Sequence, residues 1–349
     1  MKGMNLQKAK VLITGGAGFI GSHLADSLLA EGYKVSVVDN LANGSLENLS
    51  GAMTQAHFSF RQADILDSET CLEAMAGIEY VFHLACLGVR HSLHSPLENH
   101  QANAEGTIRV LQAARQRRVK HFFYVSTSEV YGRTDQFPIS EDAATQPLTV
   151  YGASKLAGEH YAKAFYTCYG LPVTILRIFN NYGPRAHYEG DAGEIIPRSI
   201  VRILYGELPL LFGDGSHSRD FFYVKDTAQA LTQLLSIAGG ERKAAITAQT
   251  YNIGTGREYS MKTLLTTILA LMGRGGLGIK YLPARPADVP RLWVDAGKFA
   301  ALTSFTPRYS FEEGLQETIT YYESLMKEKN LLQAIEPLNW ERSGKHQDT

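Results

Sequence analysis

Short apolar runs alternate with stretches of helical periodicity through the first half of the chain. Lys10-Val-Leu-Ile-Thr14, Lys34-Val-Ser-Val-Val38, His57-Phe-Ser-Phe60, Tyr80-Val-Phe-His-Leu84, His121-Phe-Phe-Tyr-Val125 and Pro172-Val-Thr-Ile-Leu-Arg177 read as strands. Helices are expected between them, over about 19–30 with Gly32 as the stop, about 97–117, and about 152–168. This alternation predicts an α/β fold, a doubly wound parallel sheet with helices on both faces. Beyond Gly183 the texture changes. Loops rich in Gly, Pro, His and Tyr separate shorter elements, as expected of a smaller C-terminal lobe over 183–330. That lobe interleaves with the larger domain, 8–182, because the chain is expected back at the sheet within about 220–255, near Thr250-Tyr-Asn-Ile253. Residues 331–349 turn polar and read as a loosely held tail.

The turn after the first strand narrows the fold. Gly15, Gly18 and Gly21 fall between that strand and the first helix, an arrangement that holds a dinucleotide pyrophosphate in a Rossmann-type domain. Gly15 makes the tight turn, Gly18 lets backbone approach phosphate, and Gly21 lets helix and strand pack closely. The amides of Phe19 and Ile20, at the helix start, then face the anion. Asp39 ends the second strand and can accept both ribose hydroxyls of NAD while repelling the 2′-phosphate of NADP. The following Asn40-Leu-Ala-Asn-Gly-Ser45 has no Arg or Lys to hold that phosphate, so the expected cofactor is NAD. Asp64, with Ile65 behind it, is a candidate for the adenine end, and Leu84 lies at the end of the fourth strand.

Bulk properties exclude more than they select. The chain has 349 residues, 44% hydrophobic and 20% charged, with a net charge of −1, which leaves no global field for nucleic acid or an anionic membrane. The basic run Arg115-Gln-Arg-Arg-Val-Lys120 falls at an expected helix end, where cations complement the dipole. Cys71, Cys86 and Cys168 are scattered and odd in number, so neither a disulfide framework nor a metal spacing is expected. The first strand starts too early for a secretory segment, and the expected location is the cytoplasm. His91, His94 and His100 read as a polar loop rather than a metal site.

Tyr151-Gly-Ala-Ser-Lys155 places a phenol and an ammonium at i and i+4 on one helix face. A free phenol titrates near ~10, and a neighbouring cation favours the phenolate, bringing it toward use as a base. The fifth strand runs directly into Ser126-Thr-Ser-Glu-Val-Tyr131, which supplies hydroxyls and a carboxylate to the same end of the sheet.

Taken with the glycine turn, His83-Leu-Ala85, Arg177-Ile-Phe-Asn-Asn-Tyr-Gly-Pro-Arg185, Arg219-Asp-Phe221 and Arg285-Pro-Ala-Asp288, these motifs resemble the extended short-chain dehydrogenase/reductases. Within that superfamily the chain resembles the NAD-dependent epimerase/dehydratases of nucleotide sugars, over about residues 10–322. The resemblance implies oxidation of sugar C4, with Tyr151 as the base, Lys155 tuning it and holding the nicotinamide ribose, and Thr127 bonding the sugar near C4. It also implies a homodimer formed through the helices near 97 and 152.

The fate of the sugar after C4 oxidation depends on Ser128 and Glu129. The 4,6-dehydratases of the family use a Glu at the position of Glu129 against the C5 proton, preceded by an Asp where this chain has Ser128. Thr-Ser-Glu also occurs in UDP-glucuronate decarboxylases and in some UDP-N-acetylhexosamine dehydratases of the family, and Gly88-Val-Arg90 resembles a segment of its hexose and uronate epimerases. Glu194 falls where those decarboxylases carry an Arg. The expected reaction is a 4,6-dehydratase-type one, with C4 epimerisation and then uronate decarboxylation as the alternatives. For a nucleotide-diphosphate sugar the candidates are Arg219 and Arg285 on the diphosphate, Asn180 beside the sugar–phosphate link, and Arg90 or Arg185 on a carboxylate or phosphate. A non-catalytic NAD-binding regulator on the same fold would have no need of Thr127, Tyr151 and Lys155 together.

Overall fold

A computed structural model describes residues 8–284, 289–336 and 338–340. Seven strands form one sheet: β1 (Lys10–Thr14), β2 (Lys34–Asp39), β3 (Phe58–Gln62), β4 (Tyr80–His83), β5 (His121–Thr127), β6 (Val173–Ile178) and β7 (Gln249–Ile253). Their order is β7-β6-β5-β4-β1-β2-β3 and every pairing is parallel. The order reverses at β1, which lies between β2 and β4. In such sheets the crevice at the carboxyl ends beside this reversal binds ligands. β7 pairs with β6 in register from Gln249 opposite Thr174 to Ile253 opposite Ile178, which brings the chain back to the sheet.

Two apolar layers cover the sheet. On one face α1 (Phe19–Ala30) packs through Leu24 and Leu28 with Leu231, Leu234 and Leu235 of a helix over Val224–Ala238. On the other, Val110 and Leu111 join Phe122, Tyr124, Ala162 and Val173. α1 keeps its predicted length, ending where Gly32 takes a left-handed φ of +76°.

The helix expected over 97–117 is not one regular α-helix. It runs as an α-turn at Pro96–His100, a π-helical stretch at Gln101–Glu105, and an α-helix at Gly106–Gln116. Buried Asn99 and Asn103 explain the departure. The Asn99 amide donates to the carbonyls of Leu87 and Gly88, and Asn103 both donates to Leu87 O and accepts from its N–H, at 2.9 Å each. A widened turn brings both amides to the loop after β4, a use that π-turns often have near sites. The next long helix, Val150–Tyr169, starts at the cap Thr149, whose hydroxyl accepts from Gly152 N, and ends at left-handed Gly170.

A second lobe has its own core, in which Ile196, Ile200, Leu211, Phe221, Leu264, Phe311 and Leu315 pack together. The described part of the stretch after residue 331 is docked on this lobe rather than loose. Leu331 is fully buried, Trp340 packs edge-on against Phe212, and Asn339 donates to the carbonyls of Gly190 and Gly193. Among the described residues, no helix is long and apolar enough to cross a membrane.

Candidate active site

A cavity of about 510 Å³ opens at the carboxyl ends of β1, β4 and β5 and continues to the second lobe. Gly15, Gly18, Phe19, Ile20 and Gly21 form its floor at one end. Gly15 has φ +71°, and a Cβ there would lie 2.6 Å from Ala85 N; one on Gly21 would lie 2.7 Å from Gly16 Cα. Positions 15 and 21 are thus closed to side chains. No side chain caps α1 and no acid stands in its first turn, which leaves a helix N-terminus facing the cavity, as a pyrophosphate requires.

Asp39 is 8% exposed and accepts from Ala17 N at 2.9 Å and Leu41 N at 2.8 Å. Burial raises its pKa, and these amides oppose that rise. Asn40 donates to Asp64 at 2.9 Å, which joins the ends of the second and third strands into one wall. Ile65 and Leu84 line the same cavity. This pocket has the parts that a dinucleotide needs.

At the middle of the cavity stand Thr127, Ser128, Glu129, Tyr151 and Lys155. Burial holds the Tyr151 phenol well above its ordinary value, and Cys86, Glu129 and Glu194 add to this, against a hydrogen bond with Thr127. The i, i+4 spacing predicts a phenol pulled down by Lys155; in the folded chain the burial of Tyr151 prevails. The Lys155 ammonium instead donates to Val125 O at 2.6 Å and lies 4.5 Å above the Tyr124 ring, while burial lowers its pKa.

Below this row runs a buried network that no sequence motif indicates. Glu159, one helical turn past Lys155, takes the Arg177 guanidinium at 2.9 and 2.7 Å and the Ser126 hydroxyl at 2.6 Å. Arg177 also donates to Tyr131 at 2.9 Å, and Tyr131 to Asn252 at 2.6 Å. The network links β5, β6, β7 and the tyrosine helix, and so fixes the positions from which Thr127 and Tyr151 meet.

A model of the GDP-mannose 4,6 dehydratase family matches residues 12–318. The UDP-glucose 4-epimerase of Mycolicibacterium smegmatis is 35% identical over 316 residues, 90% of this chain and 98% of that protein. The chain belongs to the NAD-dependent epimerase/dehydratase family of extended short-chain dehydrogenase/reductases. Other members differ in their reaction. A UDP-N-acetyl-alpha-D-glucosaminuronate decarboxylase of Bacillus cytotoxicus is 36% identical over 333 residues, 91% of this chain and 99% of that one. The dTDP-glucose 4,6-dehydratase DesIV of Streptomyces venezuelae, solved with NAD bound, superposes with a TM-score of 0.85 at 30% identity, over 94% of this chain and 99% of that one. The cofactor of this epimerase/dehydratase is NAD, and its chemistry is nucleotide-sugar modification.

The substrate candidates divide. Asn180 lines the cavity with its buried Oδ1 lacking a hydrogen-bond partner, and Arg219 lines it at 7% exposure. Asp220 holds Thr255 and Gly256 through their amides. Arg90 also lines the cavity, but its guanidinium is bonded to the loop before Ile195. Arg185 is not on the cavity wall and pairs with Asp26 at 2.7 Å. Arg285 lies outside the described residues. His91 and His94 pair with Glu98 and Asp191, at 3.3 and 2.9 Å. Cys86, His187 and His217 also line the cavity, beyond the residues expected from sequence. For Cys86 a signal existed, since it follows His83-Leu-Ala85 at a strand end; the two histidines sit in irregular loops and had none.

Proposed function

We propose that this enzyme converts a nucleotide-activated hexose by a 4,6-dehydratase-type reaction, with Tyr151 acting at C4 and Glu129 at C5. The observation that carries this reading is Glu129 on the same cavity wall as Tyr151, within electrostatic reach of its phenol. NAD, held by the Gly15–Gly21 turn, Asp39 and Lys155, would supply the hydride acceptor and donor that this reaction needs. Tyr151 takes the O4 proton as the ketone forms, with Thr127 bonded to the phenol to orient it. The ketone acidifies C5, and Glu129 removes that proton. With Ser128 in place of an acid, Glu129 in its protonated form hands the proton to the departing C6 hydroxyl, which leaves as water. C5 regains a proton in exchange for the one held on Tyr151, so the products are a 4-keto-6-deoxy sugar and water.

C4 epimerisation is the second reading, favoured by Ser128, which is 3% exposed and adds no carboxyl group to assist loss of water. Incubation with UDP-, dTDP- and GDP-hexoses separates the two. Mass spectrometry detects loss of water, and NMR detects an epimer of unchanged mass. Glu129→Gln is expected to stop dehydration while reduced NAD still forms; dehydration surviving in that variant would overturn the role of Glu129. A homodimer is proposed through the helices over Gly106–Gln116 and Val150–Tyr169, which carry exposed Ile108, Tyr166 and Tyr169. Sedimentation velocity tests it.

A further inference from the structure

The sugar end of the cavity holds a cation that is already neutralised. Arg90, on the short helix Val89–His94, is 7% exposed. Its Nε donates to Asp191 O at 2.7 Å, and its Nη2 donates to Ala192 O at 3.0 Å and to Glu194 Oε1 at 2.7 Å. The backbone that carries Glu194 is held in place. Its own N–H donates to His187 O at 2.7 Å, and a Cβ on the preceding Gly193 would lie 2.7 Å from Tyr188 O. Asn339 grips the same loop through Gly190 O and Gly193 O, at 3.1 and 3.0 Å.

Arg90 and Glu194 line one cavity with Glu129 and Tyr151. In a hexopyranose C6 is carried by C5, the ring neighbour of C4. A sugar whose O4 meets Tyr151 therefore holds its C6 substituent two bonds from the reacting carbon, in the cavity where Glu129 and Glu194 both act on the Tyr151 phenol. A C6 carboxylate would meet the charges of Glu129 and Glu194 there, while the Arg90 guanidinium is already bonded to an acid. A hydroxymethyl group adds no charge there and can bond to carboxylate oxygens.

We propose that Glu194, through its pair with Arg90, is a specificity-determining residue that selects nucleotide sugars uncharged at C6 and rejects uronates. This rests on the reading of the cavity as a nucleotide-sugar site with O4 at Tyr151. Specificity here comes from repulsion as much as from attraction. Replacing Glu194 by Gln removes the negative charge, keeps the side chain's shape, and leaves the charge of Arg90 without its acidic counterpart.

The test uses the NAD-loaded enzyme and nucleotide-matched pairs, UDP-glucose with UDP-glucuronate and UDP-N-acetylglucosamine with its 6-carboxylate. Affinities are read by competition with UDP. The wild-type enzyme is expected to favour the neutral member of each pair by at least about tenfold. E194Q is expected to shrink that ratio by about tenfold or more, and Arg90→Met in the E194Q background to restore it. A wild-type ratio of one, or a ratio unmoved by E194Q, would overturn the proposal. If E194Q does not fold, Glu194→Ala is read by the same ratio, and a ratio unmoved in that variant overturns the proposal. Failure of every UDP-, dTDP- and GDP-sugar to bind would instead sink the nucleotide-sugar reading, and this inference with it.

Discussion

The two ends of the cavity are built in different ways. The cofactor end comes from successive strand–turn–helix units, so each group sits at a strand terminus set by the sheet: Gly15 after β1, Asp39 at the end of β2, Leu84 after β4, Thr127 at the end of β5. The sugar end is stitched from distant loops. Arg90 meets Glu194 across 104 residues, and Asn339 reaches Gly193 across 146. Position at the first end is enforced by backbone pairing, and at the second by side-chain bonds that single substitutions can remove. A shared cofactor with divergent sugar chemistry is what such a division permits.

The largest expected effect falls where the two ends meet. Tyr151→Phe should lower kcat by about 10³-fold, within the range of lost acid–base catalysis, while the purified protein keeps its NAD. Turnover and the absorbance of bound cofactor check both halves of that statement. NAD lost along with activity would mean that the tyrosine belongs to the cofactor end alone.

Acid should strike the cofactor half. Burial lowers His83 to about 3, with Lys155 adding to this, and lowers His121 to about 3, with Lys243 adding. His23 is lowered to about 4 by burial and then by Arg185. Unfolded histidines titrate near ~6.5, so the unfolded chain binds protons more readily between that pH and the folded values. Stability is therefore fully present above about pH 6.5 and falls as the pH drops toward 4 and then 3, by several kcal/mol in all. Denaturant melts at pH 7, 5.5 and 4.5 measure the slope. His83→Asn should flatten it, and a slope unchanged in that variant would remove His83 from the account.

Asp39→Ala should weaken NAD binding by about tenfold to a hundredfold, the scale of charge-assisted hydrogen bonds, read by titrating cofactor into the stripped protein. The smallest effect belongs to Asn339→Ala. It removes two bonds to the loop over 187–194, and a cost of about 1–2 kcal/mol should appear mainly as a raised KM for the sugar nucleotide. If the affinity for NAD fell equally, the two ends would be less separate than their construction indicates.

This construction also decides how much was legible in the sequence. The glycine turn, Asp39, Thr127 and the Tyr151–Lys155 pair sit on contiguous segments, where spacing translates directly into direction along a strand or helix. The π-helical stretch escaped because Asn99 and Asn103 look like ordinary polar helix positions, and only the fold shows them bonded beneath Leu87. Glu159 escaped for a related reason: an acid on a helix reads as solvated until Arg177 is found opposite it. The fate of Arg90 and Arg185 was out of reach. Whether an arginine faces a ligand or a carboxylate depends on Glu194 and Asp26, partners that no local pattern names.

The grip of Asn339 on Gly190 and Gly193 has a consequence for how the protein is made. All seven strands of the sheet have been synthesised once the chain reaches Ile253, and with them every cofactor group described above. The loop that carries Glu194 waits for its clasp until Asn339 emerges. The groups at the glycine-turn end are thus all laid down by residue 253, whereas the clasp on the loop of Glu194 comes from the last of the described residues.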